Sequence, residues 1–232
     1  MTDLDKFMRP PDSIALSYDE AIAGPLWYGP KHDWKVLRFC SDSQASALAG
    51  VTERSLRYLQ NSEIINATQA PLSGGGYRRV WHLPEVASAA MAEQFKLATN
   101  VNYSEADILF HASLVTKLMF AVQALLLNSP ALRASFTPEL IFADGRLFVL
   151  RAPAITQRVI EKLAPSFFYF DGEIAPIAAS DKDGAWKAFP PDRRTAPQDR
   201  GIKVFQKSKF FVVLSLARIF LDLERKAKEL RP

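Results

Sequence analysis

Ala49–Ile65 (AGVTERSLRYLQNSEII) and, shortly after it, Gly74–Val86 (GGGYRRVWHLPEV) decide how this chain is read. Gly50 stands where one helix has to stop, because glycine takes the left-handed backbone at little steric cost. The helix before it is expected to start at Ser41 or Ser43 and to carry Ala45, Leu48 and Ala49 on one face. Val51 fills the corner. Thr52 is a good N-cap for a second helix, Glu53 to about Gln60, with Leu56 and Leu59 turned inward. Arg54, Ser55, Arg57, Tyr58 and Asn61 then fall on the outer side. The second helix is only about two turns long, too short to stand alone and well suited to presenting side chains from a scaffold. Gly74, Gly75 and Gly76 read as a flexible loop tip, Tyr77 to Trp81 as a strand, and Pro84 as the first turn of a further helix.

An arginine-bearing short helix fits the major groove of B-DNA, where Arg pairs bidentately with guanine or binds phosphate. The helix start at Thr52–Arg54 adds free N–H groups and a positive dipole end. In order and spacing the segment resembles the MerR-type winged helix-turn-helix, over about residues 43–95 only. Leu48-Ala49-Gly50-Val51-Thr52 fits that family's Ala-x-x-x-Gly-Val-Ser/Thr start with Leu48 one step out of place. Ser55-Leu56-Arg57-Tyr58 matches its Thr-Leu-Arg-Tyr core, and Arg79-Val80-Trp81 through Glu85-Val86 matches the wing's Arg-x-Tyr leading to Asp-Val. Two positions depart from it: Leu59 replaces the second aromatic, and Glu63 replaces a glycine. The resemblance implies that Arg57 and Tyr58 contact phosphates or bases and that Arg79 reaches the backbone of an adjacent groove. The full expected DNA-binding set is Thr52, Arg54, Ser55, Arg57, Tyr58, Tyr77, Arg78 and Arg79. Taken singly, Arg54, Arg57, Arg78 and Arg79 read more readily as solvated surface; it is the corner, cap, Arg-Tyr pair and Arg-bearing wing in this order that favour DNA.

The chain of 232 residues is expected to divide into an N-terminal arm (1–34), a MerR-like winged-helix unit (35–98) and an α+β domain (99–232). The fold class is α+β. In the arm, Pro-rich and aromatic (Trp27, Tyr28, Trp34), one short element is expected, packed on the body or on a partner. Val36 to Phe39 reads as a short strand. Ser104-Glu-Ala-Asp107 resembles a capping box opening a long apolar helix to about Asn128. Leu140 to Leu150 reads as a hairpin around Asp144-Gly145, and PSFFYFDGEIAPI repeats that grammar around Asp171-Gly172. Thr156 to Leu163 between them reads as a helix. Residues 179–201 read as a mobile, Pro-rich loop that Trp186 and Phe189 could anchor. Lys207 to Leu230 reads as a six-turn terminal helix with a stripe of Val212, Leu216, Ile219 and Leu223, which favours dimerisation.

Other chemistries have less support. The net charge is +4, compatible with a polyanionic partner without requiring one. Cys40 is the only cysteine, so neither an internal disulfide nor a multi-cysteine metal site is available. His32, His82 and His111 lack ligand spacing. No nucleophile elbow or P-loop appears, and Asp144 and Asp171 suit turns better than catalysis. No metal, no cofactor and no enzyme activity are expected. Asp3, Asp5 and Asp12 with no apolar run argue against a leader segment, and the run Ile108–Leu127 suits a buried helix better than a membrane span. The expected partners are double-stranded DNA and a second copy of the chain, in the cytoplasm, as a repressor. The alternatives are an antitoxin that neutralises a partner toxin, and a ligand-binding or enzymatic module with DNA binding added.

Overall fold

A computed structural model of the chain describes residues 11–29, 36–99, 106–143, 147–152, 170–171, 175–180, 186–188 and 211–230. The fold mixes helix and strand. In the arm, Ser17 caps helix α1 (Tyr18–Ala23), and Glu20 returns the bond to the Ser17 amide (2.9 Å), a reciprocal cap. Strand β1 (Phe39–Cys40) leads into helix α2 (Asp42–Ala49), opened by Ser41, with the Gln44 side chain accepting from the Ser41 amide at 2.9 Å. Gly50 ends α2 at φ +70°, and Val51 begins the next turn buried. Thr52 then caps helix α3 (Glu53–Asn61). These boundaries follow the caps and the glycine read from the sequence.

Strand β2 (Thr68–Pro71), which no pattern in the sequence announces, pairs antiparallel with β3 (Tyr77–His82), Thr68 opposite Val80 and Pro71 opposite Tyr77. The loop between them needs its glycines, since Gly75 and Gly76 sit at φ +90° and +83°. β1 covers the other edge of β3, giving the order β1-β3-β2. The chain passes from His82 directly into helix α4 (Leu83–Thr99), against which helix α5 (Ala106–Leu125) packs. A 3-10 turn (Leu126–Asn128) and helix α6 (Pro130–Ser135) follow.

The second sheet holds β4 (Glu139–Ala143), β5 (Leu147–Ala152), β6 (Phe170–Asp171), β7 (Ala175–Ser180), β8 (Trp186–Ala188) and β9 (Phe211–Ser215), in the order β8-β7-β5-β4-β9. The first expected hairpin is present: β4 and β5 pair antiparallel from Ala143–Leu147 outward. The second is not. β6 pairs parallel with β5, and β7 pairs antiparallel with the same strand. The long ladder that β5 offers outcompetes a mutual pairing of two short runs. Trp186 lies on a strand bonded to β7 instead of in a loop. The expected Thr156–Leu163 helix, the Ser104 cap and the turn residues Asp144 and Gly172 lie outside the described residues.

The terminal element also differs from expectation. Helix α7 is Leu216–Leu230, and the residues before it form β9, paired with β4 from Ala143–Phe211 to Glu139–Ser215. Phe211-Val212-Val213-Leu214-Ser215 holds two adjacent β-branched valines, which suit a pleated edge better than a helix. Burial alternates accordingly: Val212 and Leu214 are buried while Phe211 and Val213 are exposed. The stripe expected along one helix is therefore split between a strand and a helix.

One apolar cluster runs from Leu26 in the arm through α2, α3, α4, α5 and β4 to Ala227 in α7. Trp27 meets Phe120 of α5 edge-on at 5.5 Å, and Phe120 meets Phe220 of α7 at 5.3 Å. The arm is thus packed on the body. Leu216, Phe220, Leu223 and Ala227 of α7 are all buried within their own chain. Among the described residues one stretch, Ile108–Asn128, is long and apolar enough to cross a membrane, and 82% of its apolar window is buried inside the protein.

Candidate nucleic-acid interface

α3 is strongly two-sided. Leu56 and Leu59 are buried on the side facing the core, leaving Arg54, Arg57, Tyr58 and Asn61 exposed on the other. Arg54 makes no ion pair or hydrogen bond among the described residues. Arg57 reaches back to Glu53 at 3.6 Å across one exposed turn, a bond weak enough to yield to a phosphate. Thr52 Oγ1 accepts from the Ser55 amide at 3.0 Å and lies 2.9 Å from Ser55 Oγ. Both hydroxyls are engaged at the helix start, so their role there is to hold α3 in place.

The helix ends on an unusual residue. Glu63 has φ +58°, the left-handed region. Its amide donates to the Gln60 carbonyl (2.9 Å) and the Ile64 amide to the Leu59 carbonyl (3.0 Å), the paired closing bonds of a Schellman motif. Ile64 and Leu59 are both fully buried in the same apolar cluster. The glycine missing from the sequence pattern is thus replaced by packing.

The eight expected residues separate at the hairpin. Alternation along β3 sends Arg78 and Arg79 to opposite faces. Arg79, expected to reach outward, turns inward. It donates from Nη1 to Gln60 of α3 at 3.2 Å and from Nη2 to Asp42 of α2 at 3.1 Å, where both partners of the ion pair are about a quarter exposed. The other Asp42 oxygen accepts from Trp81 Nε1 at 2.6 Å. Asp42, in the first turn of α2, also faces that helix's positive end. The Asp42 carboxylate thus pins the hairpin to α2 through Arg79 and Trp81, and Arg79 ties it to α3 through Gln60. On the opposite face the Arg78 guanidinium stacks over the Tyr18 ring of α1 at 4.7 Å, with no ion pair or hydrogen bond among the described residues. Tyr77 is 68% exposed at the tip.

The arm reinforces this side. The Gln69 amide donates to the Asp12 carbonyl (2.8 Å) and the Ile14 amide to that of Gln69 (3.0 Å), so residues 12–14 lie alongside β2. Asp42, Gln60 and Tyr18 were missed in the sequence. Asp42 carried only the faint signal of an acid at a helix start.

Behind the interface lies a buried polar seam. Glu85 of α4 and Lys117 of α5 form an ion pair at 2.8 Å with essentially no exposure, and the same Glu85 oxygen accepts from the Asn66 amide at 2.9 Å. Ser113 Oγ donates to the Ile64 carbonyl at 2.6 Å. The segment leaving α3 is thereby fixed to α4 and α5. Burial pushes the Glu85 carboxyl above its usual range, against the pull of Lys117. Burial first and the Lys117 charge second hold the His82 imidazole down to about 3, so it is neutral at ordinary pH. Cys40 is buried, as expected of a small core side chain. The described residues contain no group of three or more His, Cys, Asp or Glu able to hold a metal. Comparison with family models and with curated proteins returns no match.

Proposed function

We propose that the chain is a sequence-specific DNA-binding regulator of the MerR-like winged helix-turn-helix kind, acting as a repressor in the cytoplasm. α3 lies in the major groove, and the β2–β3 hairpin flanks it as the wing. The observation that carries this reading is the exposed face of Arg54, Arg57 and Tyr58 on a short helix with a fully buried back, beside a glycine-tipped hairpin bonded to it through Arg79 and Gln60. A scaffold that fixes the helix at both ends, by the Thr52 cap and the Glu63 turn, is what groove docking requires. Base contact comes from Arg57, Arg54 and Tyr58. Phosphate contact comes from Arg78 and Tyr77, while Arg79 holds the wing in place.

One short recognition helix reads only a few base pairs, so the regulator works as a dimer on two half-sites. The paired surface lies elsewhere than the buried stripe of α7. The test is an electrophoretic shift on the DNA upstream of the protein's own gene. The intact protein retards it, and Arg57→Ala weakens binding by about 1–3 kcal/mol while folding is kept. Equal affinity of the two proteins contradicts the assignment of α3.

A further inference from the structure

We propose that a groove on the flank of α7 binds an amphipathic carboxylate, its head on Arg218 and its apolar tail along Leu97, Val213 and Ile219. The groove has a volume of about 560 Å³ and lies between the end of α2, α4, β9 and α7. That is the scale of a small-molecule site. Two of its wall residues are large apolar side chains left wet: Leu97 is 66% exposed and Val213 43%. They come from different elements, a helix and a strand edge, and meet on one groove.

The wall carries three acids (Glu93, Glu139, Asp222) and two bases (Arg218, Lys226), and the sign of the ligand follows from which of them are already engaged. Asp222 is bound by Arg225 at 2.7 Å and Lys226 at 2.8 Å. Lys226 also donates to the Leu48 carbonyl at 3.2 Å, closing the end of α2. Glu93 pairs with Lys96 at 3.7 Å, and Glu139 is engaged as well. Arg218 is exposed, lines the groove and has no ion pair among the described residues. Among the described residues it is the wall's charge without an ionic partner, and its planar fork matches a carboxylate. A protein partner of ordinary stability would need roughly 800 Å² of surface on each side, which this groove does not provide by itself.

The site stands apart from the DNA-binding reading, and its test contains no DNA. Hexanoate, octanoate and decanoate are titrated calorimetrically into the full chain, with octylammonium as the cation control. The carboxylates bind saturably, each added methylene tightening the dissociation constant by up to about fourfold. Arg218→Ala, at an exposed position without a partner, keeps the circular dichroism spectrum and lowers octanoate affinity at least about tenfold. Arg218→Lys retains part of it, and Leu97→Ser flattens the chain-length dependence. Absence of saturable octanoate binding, equal binding of octylammonium, or unchanged affinity in Arg218→Ala overturns the proposal.

Discussion

Glu63 is, among the described non-glycine residues, the one with a positive φ. An L-residue pays roughly 1–2 kcal/mol for that conformation, and glycine avoids it at some cost in unfolded-chain entropy. Glu63→Gly should therefore raise stability by about 1 kcal/mol, read as a higher urea midpoint with unchanged slope. A lowered midpoint would mean that the Glu63 side chain contributes something the backbone argument omits. Glu63 is visible in the sequence as a departure from the expected glycine, but the burial of Leu59 and Ile64 on either side of the turn is not. Arg79 teaches a related lesson. Strand alternation alone separates Arg78 from Arg79, yet only the tertiary structure tells which side faces the helices, because Asp42 lies 37 residues away in sequence. Arg79→Ala should cost about 1–3 kcal/mol of folding stability, since it leaves Asp42 and Gln60 without that donor. Arg78→Ala should leave the thermal midpoint nearly unchanged. If the two variants melt alike, Arg79 is no more structural than its neighbour.

At the scale of elements, caps and glycines were readable because each acts through local bonds: Ser41, Gly50, Thr52 and the Gly74–Gly76 loop all fall where local chemistry places them. Pairings were harder. β2 has a proline and only four residues, and β9 looked helical because apolar residues at mixed spacing satisfy either period. The Glu85–Lys117 pair was likewise invisible, since nothing in a helical pattern announces that two ionic groups on α4 and α5 will be buried together. Its disruption makes a sharp test. Lys117→Met strands the Glu85 carboxylate in the core and should destabilise by about 3–5 kcal/mol, whereas Lys117→Met with Glu85→Leu should recover most of that loss. Chemical denaturation of both variants measures it. A single variant as stable as the parent would mean that the seam is hydrated and the helix pair looser than described.

Among the described residues the larger of two apolar clusters joins the arm, α2, α3 and the terminal helix, and a smaller one gathers Tyr18, Ala21, Phe39, Ala70 and Val80. From sequence, α7 looked like a subunit contact. Its burial against α2, α4 and β4 makes it part of the core. Leu223→Glu places an unpaired charge at a 2% exposed position and should abolish cooperative unfolding instead of producing a folded monomer. A variant that stays folded, melts cooperatively and sediments at half the parent mass would reassign α7 to a subunit interface. The central claim is that α3 and the hairpin form a DNA-binding surface with three available arginines, Arg54, Arg57 and Arg78. The most direct measurement is fluorescence anisotropy of a labelled duplex across a salt series. Each phosphate that an arginine neutralises contributes about −0.9 to the slope of log affinity against log salt, so Arg78→Ala should flatten the slope by about one unit, while Arg54→Ala and Arg57→Ala should lower affinity for the specific duplex and leave the slope nearly unchanged. No duplex binding at low salt, or a slope that Arg78→Ala leaves unchanged, would contradict it.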